Sequence, residues 1–206
     1  MMVQYPDCKI FIVDDDISVR RGISLLLNSA GYCVEAFENV RDFLQAEEIN
    51  LPGCILLDIF LGKESGLELQ DAVSKKFKNI PIIYISGHGD IPMSVQALKN
   101  GAFNFLQKPV EDKLLFPAID EAIKHSRNLV AVQQEKDLIK TKINSLTSRE
   151  FEIFRYVIKG LLNKQIASEL NIAEHTVKLH RGKITEKLGV KAVAEMVYLA
   201  EKLNIR

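Results

Sequence analysis

The side chains able to do chemistry gather at the ends of short apolar runs. Ile55-Leu56-Leu57 is followed by Asp58, and Lys9-Ile10-Phe11-Ile12-Val13 by Asp14-Asp15-Asp16. Pro81-Ile82-Ile83-Tyr84-Ile85 ends in Ser86-Gly87, and Phe103-Asn104-Phe105-Leu106-Gln107 in Lys108-Pro109. Short apolar runs of this kind are expected as buried parallel strands. Their last residues emerge at the carboxyl edge of a sheet, where open α/β folds place their ligands. Acids, a hydroxyl and an amine therefore converge on one edge. Asp15 and Asp58, helped by Asp14, would repel one another unless a hard divalent cation held them ionised. Mg²⁺, or Mn²⁺, suits such an all-oxygen site. Asp16 has a different expected task, capping the next helix.

The elements that must position these groups alternate. Ile17 to Ala30 has the spacing of an amphipathic helix stopped by Gly31. A strand over Tyr32–Phe37, a short helix over Val40–Glu47 and the Gly53–Asp58 strand come after it. Next are a helix over Leu67–Phe77, a strand over Ile80–Ser86, a helix over Met93–Asn100 ended by Gly101, the strand Phe103–Gln107 and a helix over Glu111–His125. Five βα units predict a doubly wound, flavodoxin-like five-stranded parallel sheet of order 2-1-3-4-5 over residues 1–125.

Net charge is zero over 206 residues, but it is unevenly spread. Residues 1–140 hold 15 Lys+Arg against 20 Asp+Glu, and residues 141–206 hold 12 against 7. An acidic module followed by a basic one fits a metal and phosphate site joined to a nucleic-acid binder. Cys8, Cys33 and Cys54 have no metal or Cys-x-x-Cys spacing and are expected as small buried hydrophobes in a reducing cytoplasm. No apolar run reaches the ~18 residues of a membrane span, and no signal peptide is evident. Cytoplasmic location is the expectation.

In the C-terminal third, Thr147-Ser148-Arg149-Glu150 has the form of a capping box. The helix it opens ends at Gly160. A second helix over Lys164–Leu170, capped by Asn163, a turn Asn171-Ile172-Ala173, a third over Glu174–Leu188 and a fourth over Val193–Leu203 complete an all-α four-helix module over 146–206. Its middle pair has helix-turn-helix form. Val177, Ile184 and Leu188 should face the core. Lys178 and Leu179 are then placed for base edges, and Lys164, Thr176, Arg181 and Lys183 for phosphates. His180 fits either packing or phosphate. Between the modules, residues 126–145 form a helical linker. Leu129, Val132, Ile139 and Ile143 approximate a heptad seam that would pair with a second subunit, or else an exposed tether.

Val-Asp-Asp-Asp at 13–16, Leu-Leu-Asp at 56–58, Ile-Ser-Gly-His-Gly-Asp at 85–90 and Phe-Leu-Gln-Lys-Pro at 105–109 resemble a CheY-like receiver domain. Leu-Thr-Ser-Arg-Glu, Asn-Lys-Gln-Ile-Ala-Ser-Glu-Leu and Glu-His-Thr-Val-Lys-Leu-His-Arg resemble a LuxR-type helix-turn-helix. Together they are similar to two-component response regulators of the FixJ/NarL type. The resemblance implies Asp58 as the residue phosphorylated by a sensor histidine kinase. It also implies Asp14, Asp15, Asp58 and the Phe60 backbone carbonyl as metal ligands, and Ser86, Lys108 and Phe105 as phosphoryl-stabilising and switch residues. A cis Lys108-Pro109 bond, a homodimer formed on phosphorylation, an operator in double-stranded DNA and RNA polymerase as partners are further implications. An enzyme acting on external substrates is not expected. A haloacid-dehalogenase-like phosphatase needs an acid two residues after its nucleophile, where Phe60 stands, and no nucleotide-binding Gly-rich loop is present. A constitutive DNA-binding regulator, its receiver only a dimerisation module, is the alternative. Two departures from the family pattern stand out: Leu61-Gly62 where Met-Pro is common, and His88 two residues past Ser86.

Overall fold

The computed structural model describes residues 5–45, 52–61, 64–87 and 91–206. They divide into two compact units, Met1–Ala131 and Val132–Arg206.

In the first unit the apolar runs become strands, the two central ones buried at every position and the edge run Phe103–Gln107 only in part. The elements run β1 (Tyr5–Val13), α1 (Ile17–Ser29), β2 (Tyr32–Phe37), α2 (Val40–Gln45) and β3 (Gly53–Asp58). They continue with β4 (Phe60–Leu61), β5 (Glu64–Ser65), α3 (Gly66–Lys76), β6 (Ile82–Ser86), α4 (Ile91–Lys99), β7 (Asn104–Gln107) and α5 (Asp112–Asn144). Five strands pair in parallel in the order β2-β1-β3-β6-β7, the flavodoxin-like order expected from the sequence. β3 and β6 are buried along their whole length. Each Ile or Leu so placed contributes about 1.5–3 kcal/mol relative to exposure.

Alternation along the strands sends side chains to two cores. Ile10, Ile12, Leu56, Ile83 and Ile85 pack with Ile23 and Leu27 of α1 and with Leu115, Ile119 and Ile123 of α5. Phe11, Val13, Ile55, Leu57 and Tyr84 pack on the other face with Phe43, Val73, Phe77 and Ala97. Gly53 is required where it stands: a methyl group there would collide with the Lys9 carbonyl oxygen on the neighbouring strand.

Several boundaries differ from the sequence expectation. β1 begins at Tyr5, with an irregularity between Tyr5 and Lys9. The antiparallel pair β4–β5 was not foreseen, since two-residue strands carry no periodicity. The end of the Val40–Glu47 helix, Gly62 and His88 lie outside the described residues. Cys8 and Cys54 are buried as expected, but Cys33 is exposed on edge strand β2.

The linker expected to be helical is helical, as part of α5. This helix runs through it without a break, and Ser126 inside the helix is buried, accepting from the Gly53 N–H at 3.1 Å and donating to the Asn79 carbonyl at 2.5 Å. The residues just past 125 are thus bolted to the first unit. Ile139 and Ile143 are buried in the core of the second, with Ile153, Phe154, Val157 and Leu188. They do not form an intersubunit seam, because the face that their four-residue spacing creates serves their own domain. Val132 is 47% exposed.

The second unit comprises that end of α5 with α6 (Ser148–Ile158), α7 (Asn163–Glu169), α8 (Glu174–Leu188) and α9 (Val193–Lys202). The capping box forms: Thr147 Oγ1 accepts from the Glu150 N–H at 3.3 Å, and Glu150 Oε2 accepts from the Thr147 N–H at 2.8 Å. Val177, Ile184 and Leu188 are buried as predicted. Asn163 does not cap α7. It is the first helical residue, and Leu162 precedes it with its N–H donating to Gln165 Oε1 at 2.8 Å.

Candidate functional site

Strand register brings the chemical residues together. Val13 lies opposite Leu57, so Asp14, the next residue, stands beside Asp58. Asp58 lies opposite Ile85 and Ser86 opposite Gln107, so Ser86 and Lys108 each fall one step further along the same edge. The Lys108 N–H donates to the Ser86 carbonyl at 2.8 Å, tying these two strand ends. The Lys108–Pro109 peptide bond is cis.

The site is a cluster of three acids and one amine. Single carboxylate oxygens of Asp14, Asp15 and Asp58 lie within 4.8 Å of one another. Lys108 Nζ donates to Asp14 Oδ2 at 2.6 Å and to Asp58 Oδ2 at 2.7 Å. Asp14 and Asp58 are buried, whereas Asp15 is exposed. Two like charges at such a separation repel by about 3 kcal/mol at an effective dielectric of about 20, and one lysine cannot offset three acids. Burial raises the Asp14 pKa above the ordinary value; the Lys108 bond and the Asp16 N–H, which donates to Asp14 Oδ1 at 2.9 Å, oppose it only in part. For Lys108 burial acts downward, yet the bonds to Asp14 and Asp58 outweigh it and its pKa rises. Hard oxygen donors, surplus negative charge and partial exposure fit Mg²⁺ or Mn²⁺.

Neighbouring groups fix the acids. Asp58 Oδ1 accepts from the Phe60 N–H at 3.1 Å. Asp16 caps α1, accepting from the Ser18 N–H at 2.7 Å, as expected. Arg20 was missed by the sequence reading: its Nη1 donates to the Asp14 carbonyl at 2.6 Å, and its Nη2 lies 3.9 Å from Glu38. The signal was its place four residues after Asp16, on the helix face turned back towards the acidic loop. Ser86 is fully buried. Phe105 is half-buried opposite Tyr84 and packs against the second core.

The helix-turn-helix residues lie on α7 and α8. Lys164, Lys178, Leu179 and Lys183 are exposed, and Leu179 is 55% accessible despite being apolar. Thr176 is half-buried at the start of α8. Arg181 is half-buried, and its Nη1 donates to Asn163 Oδ1 at 2.8 Å, locking α8 to α7. Arg149 Nη2 donates to the Leu170 carbonyl at 3.2 Å and holds the turn between them. His180 is half-buried, with its Nδ1 unpartnered among the described residues.

Comparison with known proteins agrees with this geometry. Residues 10–120 match the response regulator receiver domain family, and residues 144–200 the luxR family of bacterial regulatory proteins. Nodulation protein W of Bradyrhizobium diazoefficiens is 39% identical over 95% of this chain and 86% of its own length. The structure of response regulator StyR superposes with a TM-score of 0.82 at 43% identity, covering 95% of this chain and 99% of that one. Full-length FixJ from B. japonicum gives 0.54 at 31% identity, with 96% and 98% covered. Among the described residues no helix is long and apolar enough to cross a membrane. Five parallel strands ending in a metal-competent acidic cluster, a basic helix-turn-helix and these relatives lead to one conclusion: the chain belongs to the two-component response regulators of the FixJ/NarL type, a receiver domain followed by a LuxR-type DNA-binding domain.

Proposed function

We propose that this chain is a phosphorylation-dependent transcriptional regulator in which Asp58 accepts a phosphoryl group from a sensor histidine kinase. The observation that carries it is the Lys108 ammonium held between Asp14 and Asp58 at a sheet edge with surplus negative charge. Asp14, Asp15, Asp58 and the Phe60 carbonyl would hold Mg²⁺, or Mn²⁺. That ion supplies charge neutralisation for the incoming phosphoryl oxygens.

In the transfer, an Asp58 carboxylate oxygen attacks the phosphorus of the kinase phosphohistidine. The P–N bond breaks, imidazole leaves and an acyl phosphate forms. Lys108 then exchanges its bond to Asp58 for one to a phosphoryl oxygen, and Ser86 donates to the same group. The modification adds about two negative charges. Phe105, already packed against the core behind this edge, turns inward as Ser86 moves. The surface that changes is α4 with β7, where Val95 and Leu98 are 42% and 47% exposed. This apolar face supports homodimerisation.

The paired DNA-binding domains engage a two-fold operator in double-stranded DNA. Lys178 and Leu179 meet base edges, Lys164, Thr176 and Lys183 meet phosphates, and the regulator acts on RNA polymerase in the cytoplasm. Arg181 serves this interface first by bracing α8 through Asn163. Beyond its own phosphorylation and dephosphorylation the chain catalyses nothing.

The test is light scattering of the full chain with Mg²⁺ and acetyl phosphate, followed by titration with duplex DNA at several salt concentrations. The expected result is a dimer formed only after phosphorylation, with DNA affinity that falls steeply with salt. A dimer already present without phosphate and unchanged by it would favour a constitutive regulator instead.

A further inference from the structure

Gly182 lies in the interior of α8, where glycine lowers helix stability relative to alanine. Nothing within the fold asks for it. Its φ is not in the left-handed region, and a Cβ built on it meets no atom within 4 Å among the described residues. Glycine elsewhere in this domain has a backbone reason: Gly160 and Gly189 end helices with φ of +84° and +67°. Gly182 has none.

Its neighbours indicate what the missing side chain makes room for. With Val177, Ile184 and Leu188 buried, the opposite face of α8 is centred on His175, Leu179, Gly182 and Glu186. Leu179 stands one turn before Gly182, and Lys178 and Lys183 flank the pair, all exposed. An apolar side chain kept 55% exposed between two lysines, beside a position without a Cβ, forms a shallow apolar notch on a basic ridge.

Resting on the DNA-binding function proposed above, we propose that Gly182 sets the depth at which α8 enters the major groove. The notch lets the helix approach until Leu179 meets the C5-methyl of a thymine, the one apolar group that a base pair presents there. A methyl group on residue 182 lifts the helix and breaks that contact, while Lys164 and Lys183 still reach phosphates.

The test compares the full-length wild type with Gly182→Ala, both phosphorylated with acetyl phosphate. The probes are a duplex selected by the wild type from a randomised double-stranded pool and an unrelated duplex of equal length. The expected result has opposite signs in the same variant. Melting of the C-terminal unit rises by about 4 °C, affinity for the selected duplex falls at least about tenfold, and affinity for the unrelated duplex is unchanged, because phosphate contacts carry it. Thymine-to-deoxyuridine replacement at one position per half-site weakens the wild type and leaves Gly182→Ala unaffected. Equal affinity of the two proteins for the selected duplex would overturn the notch alone, as would a lower melting temperature for Gly182→Ala or a wild type indifferent to every thymine replacement. A wild type with no salt-dependent affinity for any duplex would overturn the DNA-binding function and the notch together.

Discussion

Asp14 and Glu150 are both buried carboxylates bonded to a lysine at 2.6 Å, one in each domain, and the fold treats them in opposite ways. Glu150 is held at a pKa of about 2, first by the Lys187 ammonium and then by the Thr147 N–H that it accepts from. Asp14 is pushed above its ordinary value, because burial outweighs Lys108 and the Asp16 N–H. The difference is one of charge arithmetic. Around Glu150 there is one acid, one lysine and the start of a helix, whose positive end favours an anion. The Asp14 carboxylate shares its cluster with Asp15, Asp58 and one lysine, while Arg20 is engaged by the Asp14 backbone carbonyl and Glu38. The first cluster is complete and holds α6 to α8. The second lacks positive charge, which the proposed divalent cation would supply. A buried ion pair is structural or functional according to what its surroundings leave unbalanced.

This contrast breaks most visibly at Glu150. Glu150→Ala leaves the Thr147 N–H without its acceptor and Lys187 with the Ser145 carbonyl alone, and lowers the stability of the C-terminal domain by about 3 kcal/mol. Partial exposure of Lys187 keeps this at the low end for a buried pair. Urea unfolding of the full chain measures it, and a loss too small to resolve would remove the structural half of the comparison.

Lys108→Met takes away the cation that pairs Asp14 with Asp58 and should destabilise the receiver by about 2 kcal/mol. Added Mg²⁺ should recover most of that loss, since the ion occupies the same charge deficit. If Mg²⁺ leaves the variant's midpoint where it was, the acidic cluster is not a cation site. Asp14→Asn works in the other direction. It relieves repulsion and should raise receiver stability by about 1 kcal/mol in the absence of metal, while weakening the Mg²⁺-induced rise in melting temperature.

The smallest effect is on pH dependence. Glu150 has a folded pKa below its unfolded value, so its contribution is complete above about pH 4.5 and is lost as pH falls through about 2. Asp14, with a raised pKa, takes stability away as pH climbs from 3.8 through its folded value. Asp14→Asn and Glu150→Gln should therefore change the slopes of their domains' pH profiles in opposite senses. Slopes that change in the same sense would contradict the assignment.

Much of this was legible in the sequence. The sheet edge could be read because each apolar run ends abruptly in a reactive residue; alternation gives the parallel sheet, and the strand order follows from the flavodoxin-like arrangement. The capping box at Thr147 and the Asp16 cap are local patterns that a few residues specify. What escaped depends on contacts across the chain. Ile139 and Ile143 have a spacing that suits an intersubunit seam and a domain core equally, and only the folded α6 and α8 decide for the core. Asn163 looks like a cap, yet its side chain serves Arg181, eighteen residues on. Arg20 reaches back to a backbone carbonyl, an acceptor that every residue carries and that sequence cannot single out. Ser126 is bound to Gly53, the first residue of β3, and to Asn79 before β6, both distant in sequence.

The central claim is that the charge-deficient cluster exists to receive a phosphoryl group on Asp58. Intact mass of wild type and Asp58→Asn, each incubated with Mg²⁺ and acetyl phosphate, tests it most directly. One phosphoryl group on the wild type and none on the variant is the predicted result. Equal modification of both proteins, or of neither, would contradict it.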